Sequence, residues 1–153
     1  MQLKLLEKII ESPLGLLLLR ADEEALYSIE FVQKKSKINN KTNRILDLIE
    51  SELELYFAGK LKRFSTPVKF LGTEFQKKCW KNLLLIEYGK TISYKQQAIL
   101  VGGPNFARAV ANANNKNPLP IIVPCHRVIG SSGKLVGYAS GIEKKEYLLN
   151  LEG

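Results

Sequence analysis

Two hydrophobic periods divide this chain. Three short apolar stretches, Leu3–Ile10, Leu14–Ala21 and Leu26–Val32, are broken by Ser12-Pro13 and by the acidic turn Asp22-Glu23-Glu24. That is the pattern of an antiparallel meander, in which turn residues punctuate short apolar runs. Lys34–Lys41 reads as a polar loop. From Asn43 the period changes: Ile45, Leu48, Ile49, Leu53, Tyr56 and Phe57 recur at helical spacing, and Gly59 closes the segment. The spacing predicts a helix that packs on the sheet. Leu61–Phe70, which contains Pro67, reads as a linker, so the expected domains are residues 1–70 and 71–153.

The second part reads as helical. Thr73-Glu74-Phe75-Gln76 is a capping-box pattern, and the helix it opens carries Phe75, Cys79, Trp80, Leu83 and Leu84 on one face, which makes Cys79 and Trp80 core residues. Ser93-Tyr94-Lys95-Gln96 repeats the signature ahead of a short helix ending near Val101. Gly102-Gly103 breaks the chain, and Pro104 suits a first helical position, so another helix should run from Pro104 to about Asn115. Two short helices across a glycine turn are compatible with a helix-turn-helix, a weak pattern by itself. The second helix has small residues at Ala107, Ala109, Ala111 and Ala113, polar ones at Asn112, Asn114 and Asn115, and one mid-helix charge, Arg108. Such a surface admits close approach of another body, either a partner or the protein's own core.

Composition narrows the class. With 153 residues and 45% apolar content, the chain can build an ordinary core. No run approaches the roughly 18 apolar residues of a membrane span, and the opening Met-Gln-Leu-Lys-Leu-Leu-Glu-Lys lacks the layout of a signal peptide. An intracellular protein without a membrane partner is expected, with Cys79 and Cys125 as free thiols. One histidine and two cysteines, with no Cys-x-x-Cys or His-x-x-x-His spacing, predict no metal. The net charge of +8 is uneven: residues 1–70 hold 12 Lys/Arg against 10 Asp/Glu, residues 71–153 hold 11 against 5. The second half is the one suited to a polyanion.

The chain's single histidine, His126, directly follows Cys125. A thiol becomes a good nucleophile on losing its proton, and a neighbouring imidazole is the usual means. Taken alone, the pair also fits a small buried hydrophobe beside a satisfied polar neighbour. Its company decides. Gly72-Thr73-Glu74-Phe75-Gln76, Thr91-Ile92-Ser93-Tyr94, Ala107-Arg108-Ala109-Val110, Asn117-Pro118, Pro124-Cys125-His126-Arg127-Val128, Gly137-Tyr138 and the closing Leu148-Leu149-Asn150-Leu151-Glu152-Gly153 occur in this order. From Gly72 to Gly153 the chain thereby resembles the O6-alkylguanine-DNA alkyltransferases, the direct-reversal repair proteins. In the N-terminal part only Ser12-Pro13-Leu14-Gly15 and a general pattern carry the likeness.

The resemblance implies an α/β N-terminal domain with a ribonuclease-H-like antiparallel sheet plus helix, followed by a mostly α, winged helix-turn-helix-like C-terminal domain. It implies that Cys125 takes the alkyl group from O6-alkylguanine, and from O4-alkylthymine, irreversibly and once per molecule. His126 would draw the thiol proton through a water, with Glu152 orienting the imidazole. Asn117 would fix the active-site loop, and Tyr94 would donate to guanine N3 as the base leaves. Arg108 would enter the base stack as the damaged nucleotide is flipped. Ser93, Ala109, Ala111, Asn112 and Arg127 would join it in binding alkylated double-stranded DNA through the minor groove. Tyr94, Val128, Tyr138, Ala139 and Ser140 would line the base pocket. No cofactor is implied, and a cytoplasmic (nucleoid-associated if prokaryotic) monomer is expected. Ala111-Asn112 stands where many family members carry one or two glycines, and Ala139-Ser140 falls in a segment that varies. The competing readings are a non-catalytic damage sensor, which Cys125 argues against, a helix-turn-helix regulator with a reactive cysteine, and a Cys-His hydrolase.

Overall fold

The computed structural model describes residues 4–34, 38 and 41–153, and divides the chain into two compact units, Met1–Phe70 and Leu71–Gly153. Most of the expected polar loop at 34–41, and Leu3 at the start of the first apolar stretch, lie outside the described residues.

In the first unit, β1 (Leu6–Ser12), β2 (Gly15–Ala21) and β3 (Leu26–Val32) form an antiparallel sheet in the order β1-β2-β3. The β1–β2 register closes on Ser12↔Gly15, and the Ser12 hydroxyl, which donates to Gly15 O at 2.7 Å and accepts from Leu14 N at 3.1 Å, fixes the tight turn. Central β2 buries Leu17, Leu18 and Leu19, as a strand flanked on both sides can. Helix α1 (Arg44–Phe57) begins at Asn43, whose side chain accepts from Leu46 N at 2.9 Å and whose amide donates to Asp22 O at 3.0 Å. That bond ties the helix start to the β2–β3 turn. Its face Ile45, Leu46, Ile49, Leu53 and Tyr56 is buried.

The segment read as a linker belongs to this unit instead. Leu26 N donates to Pro67 O at 2.8 Å and Lys69 N to Leu26 O at 3.0 Å, so Val68 makes a parallel bridge with Leu26. Buried Glu52 of α1 accepts from Ser65 N at 2.8 Å, Ser65 Oγ at 2.9 Å, Thr66 N at 2.9 Å and Thr66 Oγ1. Composition around Pro67 could not reveal a carboxylate, 13 residues before Ser65, that gathers this stretch.

In the second unit, α2 (Glu74–Leu83) opens on the Thr73 capping box, and α3 (Tyr94–Val101) on the Ser93 capping box. Leu84, expected on the core face of α2, is instead exposed: the helix ends at Leu83, and the turn of direction carries Leu84 to solvent. Helix α4 (Ala107–Asn115) is preceded by a 3₁₀ turn, Pro104–Phe106, so the expected single helix from Pro104 is a tighter first turn feeding an α-helix. Two-residue strands β4 (Ile92–Ser93) and β5 (Val128–Ile129) pair in parallel, and α5 (Ile142–Glu152) ends the fold. Trp80 Nε1 donates to Ala113 O at 2.9 Å, and the buried amides of Gln97 and Asn114 bond reciprocally at 2.8 and 3.3 Å, which locks α3 to α4. Among the described residues no helix is long and apolar enough to cross a membrane.

Candidate active site and nucleic-acid interface

The loop between α4 and β5 carries Cys125. Its prolines fix the chain locally, and Asn117 braces it from both ends: the amide nitrogen donates to Val123 O at 2.8 Å and the amide oxygen accepts Leu119 N at 2.9 Å. Cys125 begins a 3₁₀ turn, Cys125–Arg127, in which all three residues are buried. Burial pushes the Cys125 thiol up; a hydrogen bond from the Asn117 side chain and the nearby Lys145 charge pull it the other way.

His126 is fully closed off from solvent, and its Nε2 lies 2.7 Å from Glu152 Oε2. Burial holds the imidazole below its usual value of 6.5, the Glu152 carboxylate opposing this, so near neutral pH the ring is uncharged. A neutral ring with Nε2–H donating to a carboxylate presents a lone pair on Nδ1. That Nδ1 is buried and has no hydrogen-bond partner among the described residues. The ring is therefore oriented at one nitrogen and, among the described residues, unpartnered at the other.

Glu152 is not a frayed end. Helix α5 buries Lys145, Leu148 and Glu152, residues at i, i+3 and i+7 that share one face. The carboxylate receives Arg127 Nε at 2.8 Å, Arg127 Nη2 at 2.9 Å and, more weakly, Gly89 N at 3.4 Å. Arg127, expected to contact DNA, is thus corrected: its fork clamps Glu152, and its third nitrogen donates to Ile86 O at 2.6 Å. A basic residue inside a basic half invites the surface reading, whereas a buried carboxylate needs this cation.

Lys145, which the sequence reading passed over, is 0% exposed. Its ammonium donates to Val128 O at 2.5 Å and Val136 O at 2.8 Å, and reaches the Tyr94 hydroxyl at 3.5 Å. Burial lowers it to about 8, with the Cys125 charge favouring the ammonium. In Glu143-Lys144-Lys145-Glu146 it reads as one more solvated lysine; only the helical register relative to Leu148 and Glu152 could have singled it out.

Tyr94 points its hydroxyl at the same loop, 3.0 Å from Val136 O and 3.3 Å from Gly137 O, and burial together with the Cys125 charge pushes its phenol up to about 12. Gly137 has φ 69°, and a Cβ there would fall 2.9 Å from the Tyr94 oxygen, so only glycine admits this approach. Tyr138 is buried with its hydroxyl unpartnered among the described residues, and burial with the Cys125 charge pushes its phenol well up. Of the other expected pocket residues, Val128 is buried with its carbonyl taken by Lys145, Ser140 is half-buried and Ala139 exposed.

On α4 the alanines divide by face. Val110, Ala113 and Asn114 are buried, while Arg108, Ala109, Ala111 and Asn112, with Asn105 and Asn115, line a shallow open depression. Ser93 is half-buried and its hydroxyl oxygen serves the α3 cap, accepting Gln96 N at 3.0 Å.

A thiol beside a buried histidine–carboxylate pair, in the unit that presents a small-residue helix after a glycine turn, defines a cysteine-nucleophile protein built on a helix-turn-helix scaffold. Residues 74–153 match the family model for the 6-O-methylguanine DNA methyltransferase DNA binding domain, and residues 5–70 the one for its ribonuclease-like domain. The chain belongs to the 6-O-methylguanine DNA methyltransferase family. It is 49% identical over 150 residues to the methylated-DNA–protein-cysteine methyltransferase of Methanosarcina acetivorans, covering 95% of this chain and 96% of that one. The Mycobacterium tuberculosis O6-methylguanine methyltransferase crystal structure superposes with a TM-score of 0.88 at 40% identity, covering 97% of this chain and 93% of that one. The Mycobacterium tuberculosis OGT in complex with DNA gives 0.86 at 43%, covering 95% and 91%. The two-domain fold expected from the sequence is the fold of these proteins.

Proposed function

We propose that this protein repairs alkylated DNA by direct reversal, taking the alkyl group of O6-alkylguanine onto Cys125. The observation that carries this is the His126 ring, held by Glu152 at one nitrogen and, among the described residues, unpartnered at the other, in the residue that follows the cysteine. The names of the relatives, a methylated-DNA–protein-cysteine methyltransferase and an OGT bound to DNA, support the same substrate and acceptor.

The thiol proton passes through a water to His126 Nδ1, and the imidazolium that forms is stabilised by Glu152. Sγ attacks the alkyl carbon, the carbon–O6 bond breaks, and its electron pair stays with the base. Tyr94 supplies the hydrogen bond or proton that guanine N3 needs, giving up its loop carbonyl to do so. Lys145 lends the buried thiolate its positive charge, and Asn117 holds the loop. The product is intact guanine and a thioether that ordinary thiol exchange does not reverse, so each molecule acts once. O4-alkylthymine presents the same displacement.

A base inside a duplex cannot reach a buried thiol, so the nucleotide is flipped. Exposed Arg108 fills the gap, and the face of Ala109, Ala111 and Asn112 enters the minor groove, where small side chains fit. Tyr138, Ala139 and Ser140 line the pocket for the base. The protein acts as a cytoplasmic monomer, with binding that weakens as salt rises.

Intact mass after incubation with an O6-methylguanine oligonucleotide tests the reading. One added methyl, mapped to Cys125 and missing from Cys125→Ser, is expected; no gain on the wild type would sink it. Arg108→Ala should still react with the free base while losing repair in duplex, and an equal loss on both would remove the flipping role.

A further inference from the structure

Among the described residues only one that is not glycine has a positive φ: Ile121, at 77°. A β-branched residue there is a backbone outlier, because its Cβ crowds the carbonyl, and such strain persists only where the surroundings enforce it. Ile121 is 1% exposed and sits inside the nucleophile loop.

The enforcing geometry is a set of interlocked turns. Val123 N donates to Leu119 O at 2.9 Å, closing a turn with Ile121 at its centre. Pro124, at φ −83° and ψ 66°, then makes an inverse γ-turn in which Cys125 N donates to Val123 O at 2.8 Å. The Val123 carbonyl therefore accepts two donors, Asn117 Nδ2 and the nucleophile's own amide. Leu119 is held by Asn117 Oδ1, and Pro118, Pro120 and Pro124 each have φ confined by their rings. The reversal between Leu119 and Val123 is left to Ile121.

We infer that Ile121 is a positioning residue for alkyl transfer: its left-handed backbone closes the Leu119–Val123 turn and so seats the carbonyl on which the Cys125 amide rests. With φ negative at Ile121, Val123 O leaves both donors and the thiol loses its fixed place. The buried side chain supplies the packing that keeps this costly backbone in place. The inference rests on Cys125 being the alkyl acceptor.

Single-turnover transfer from an O6-methylguanine duplex separates positioning from folding. Each molecule reacts once, so the amplitude counts competent molecules while the saturating rate constant reports how well the thiol is placed. Ile121→Gly and Ile121→Ala both delete the side chain, but only glycine adopts φ 77° without cost. The expected order is wild type, then Gly, then Ala, with Gly about tenfold faster than Ala and the DNA concentration for half-maximal rate unchanged. Ile121→Val, which keeps the branch, should stay close to wild type. An Ala variant as fast as Gly would overturn the inference, as would a Gly variant with no reacting molecules, since glycine preserves the handedness. A wild type that accepts no methyl would instead remove the acceptor reading beneath it.

Discussion

Each unit buries a glutamate on a helix, and the two are satisfied in different currencies. Among the described residues, Glu52 receives only neutral donors, two backbone amides and two hydroxyls from Ser65 and Thr66. Those bonds hold its carboxyl below the usual range against the opposing effect of burial. Glu152 receives the Arg127 fork and the His126 ring. A carboxylate saturated by fixed neutral donors can only fasten one piece of chain to another. One that shares a titratable ring whose far nitrogen is unpartnered among the described residues can respond when a proton arrives. Burial and hydrogen-bond count alone do not separate the two; the chemistry of the donors does.

The comparison breaks most visibly at Glu152. Glu152→Gln should lower the single-turnover rate constant by about 10³-fold, the scale of losing an oriented general base, because an amide cannot stabilise the imidazolium. A loss below about tenfold would place Glu152 in the same class as Glu52. Lys145→Met should slow transfer by roughly 10²-fold at neutral pH, about the worth of a desolvated charge near the reacting atom. The wild-type advantage should shrink as pH rises through about 8, where Lys145 loses its proton. A ratio flat from pH 7 to 10 would remove the charge from the argument.

Glu52→Gln carries the opposite expectation. The new amide nitrogen faces N–H and O–H donors, so stability should fall by about 1–3 kcal/mol in urea unfolding, with the transfer rate constant of the folded protein unchanged. A slowed rate constant would show that the fastening reaches the chemistry. The smallest effect is that of acid on His126. Its folded value lies below 6.5, so below that pH the unfolded chain binds the proton first. The contribution of this residue is present above pH 6.5 and lost as pH falls, at no more than about 1.4 kcal/mol per pH unit. His126→Asn should flatten that part of the stability profile, and an unchanged slope would contradict the buried neutral ring.

Local rules made much of this legible. Strand breaks at Ser12-Pro13 and Asp22-Glu23-Glu24, the helical period from Asn43 and both capping boxes depend on neighbours within a few residues, and the structure keeps them. The Cys125, His126 and Glu152 grouping came from the family resemblance, and geometry supplies its physical content. What local rules could not reach is the pairing of charges distant in sequence. Arg127 meets a carboxylate 25 residues later, and Lys145 meets carbonyls 17 and 9 residues earlier. Both read as surface cations until the tertiary fold closes over them. Leu84 failed for the converse reason: periodicity marks a face but not where the helix stops.

The indole seated on Ala113 is the chain's single tryptophan, and it lies in the second unit. Intrinsic emission excited at the red edge of the protein spectrum therefore originates in that unit alone. Followed beside far-ultraviolet dichroism, it tells within one titration whether the two units unfold together or in turn.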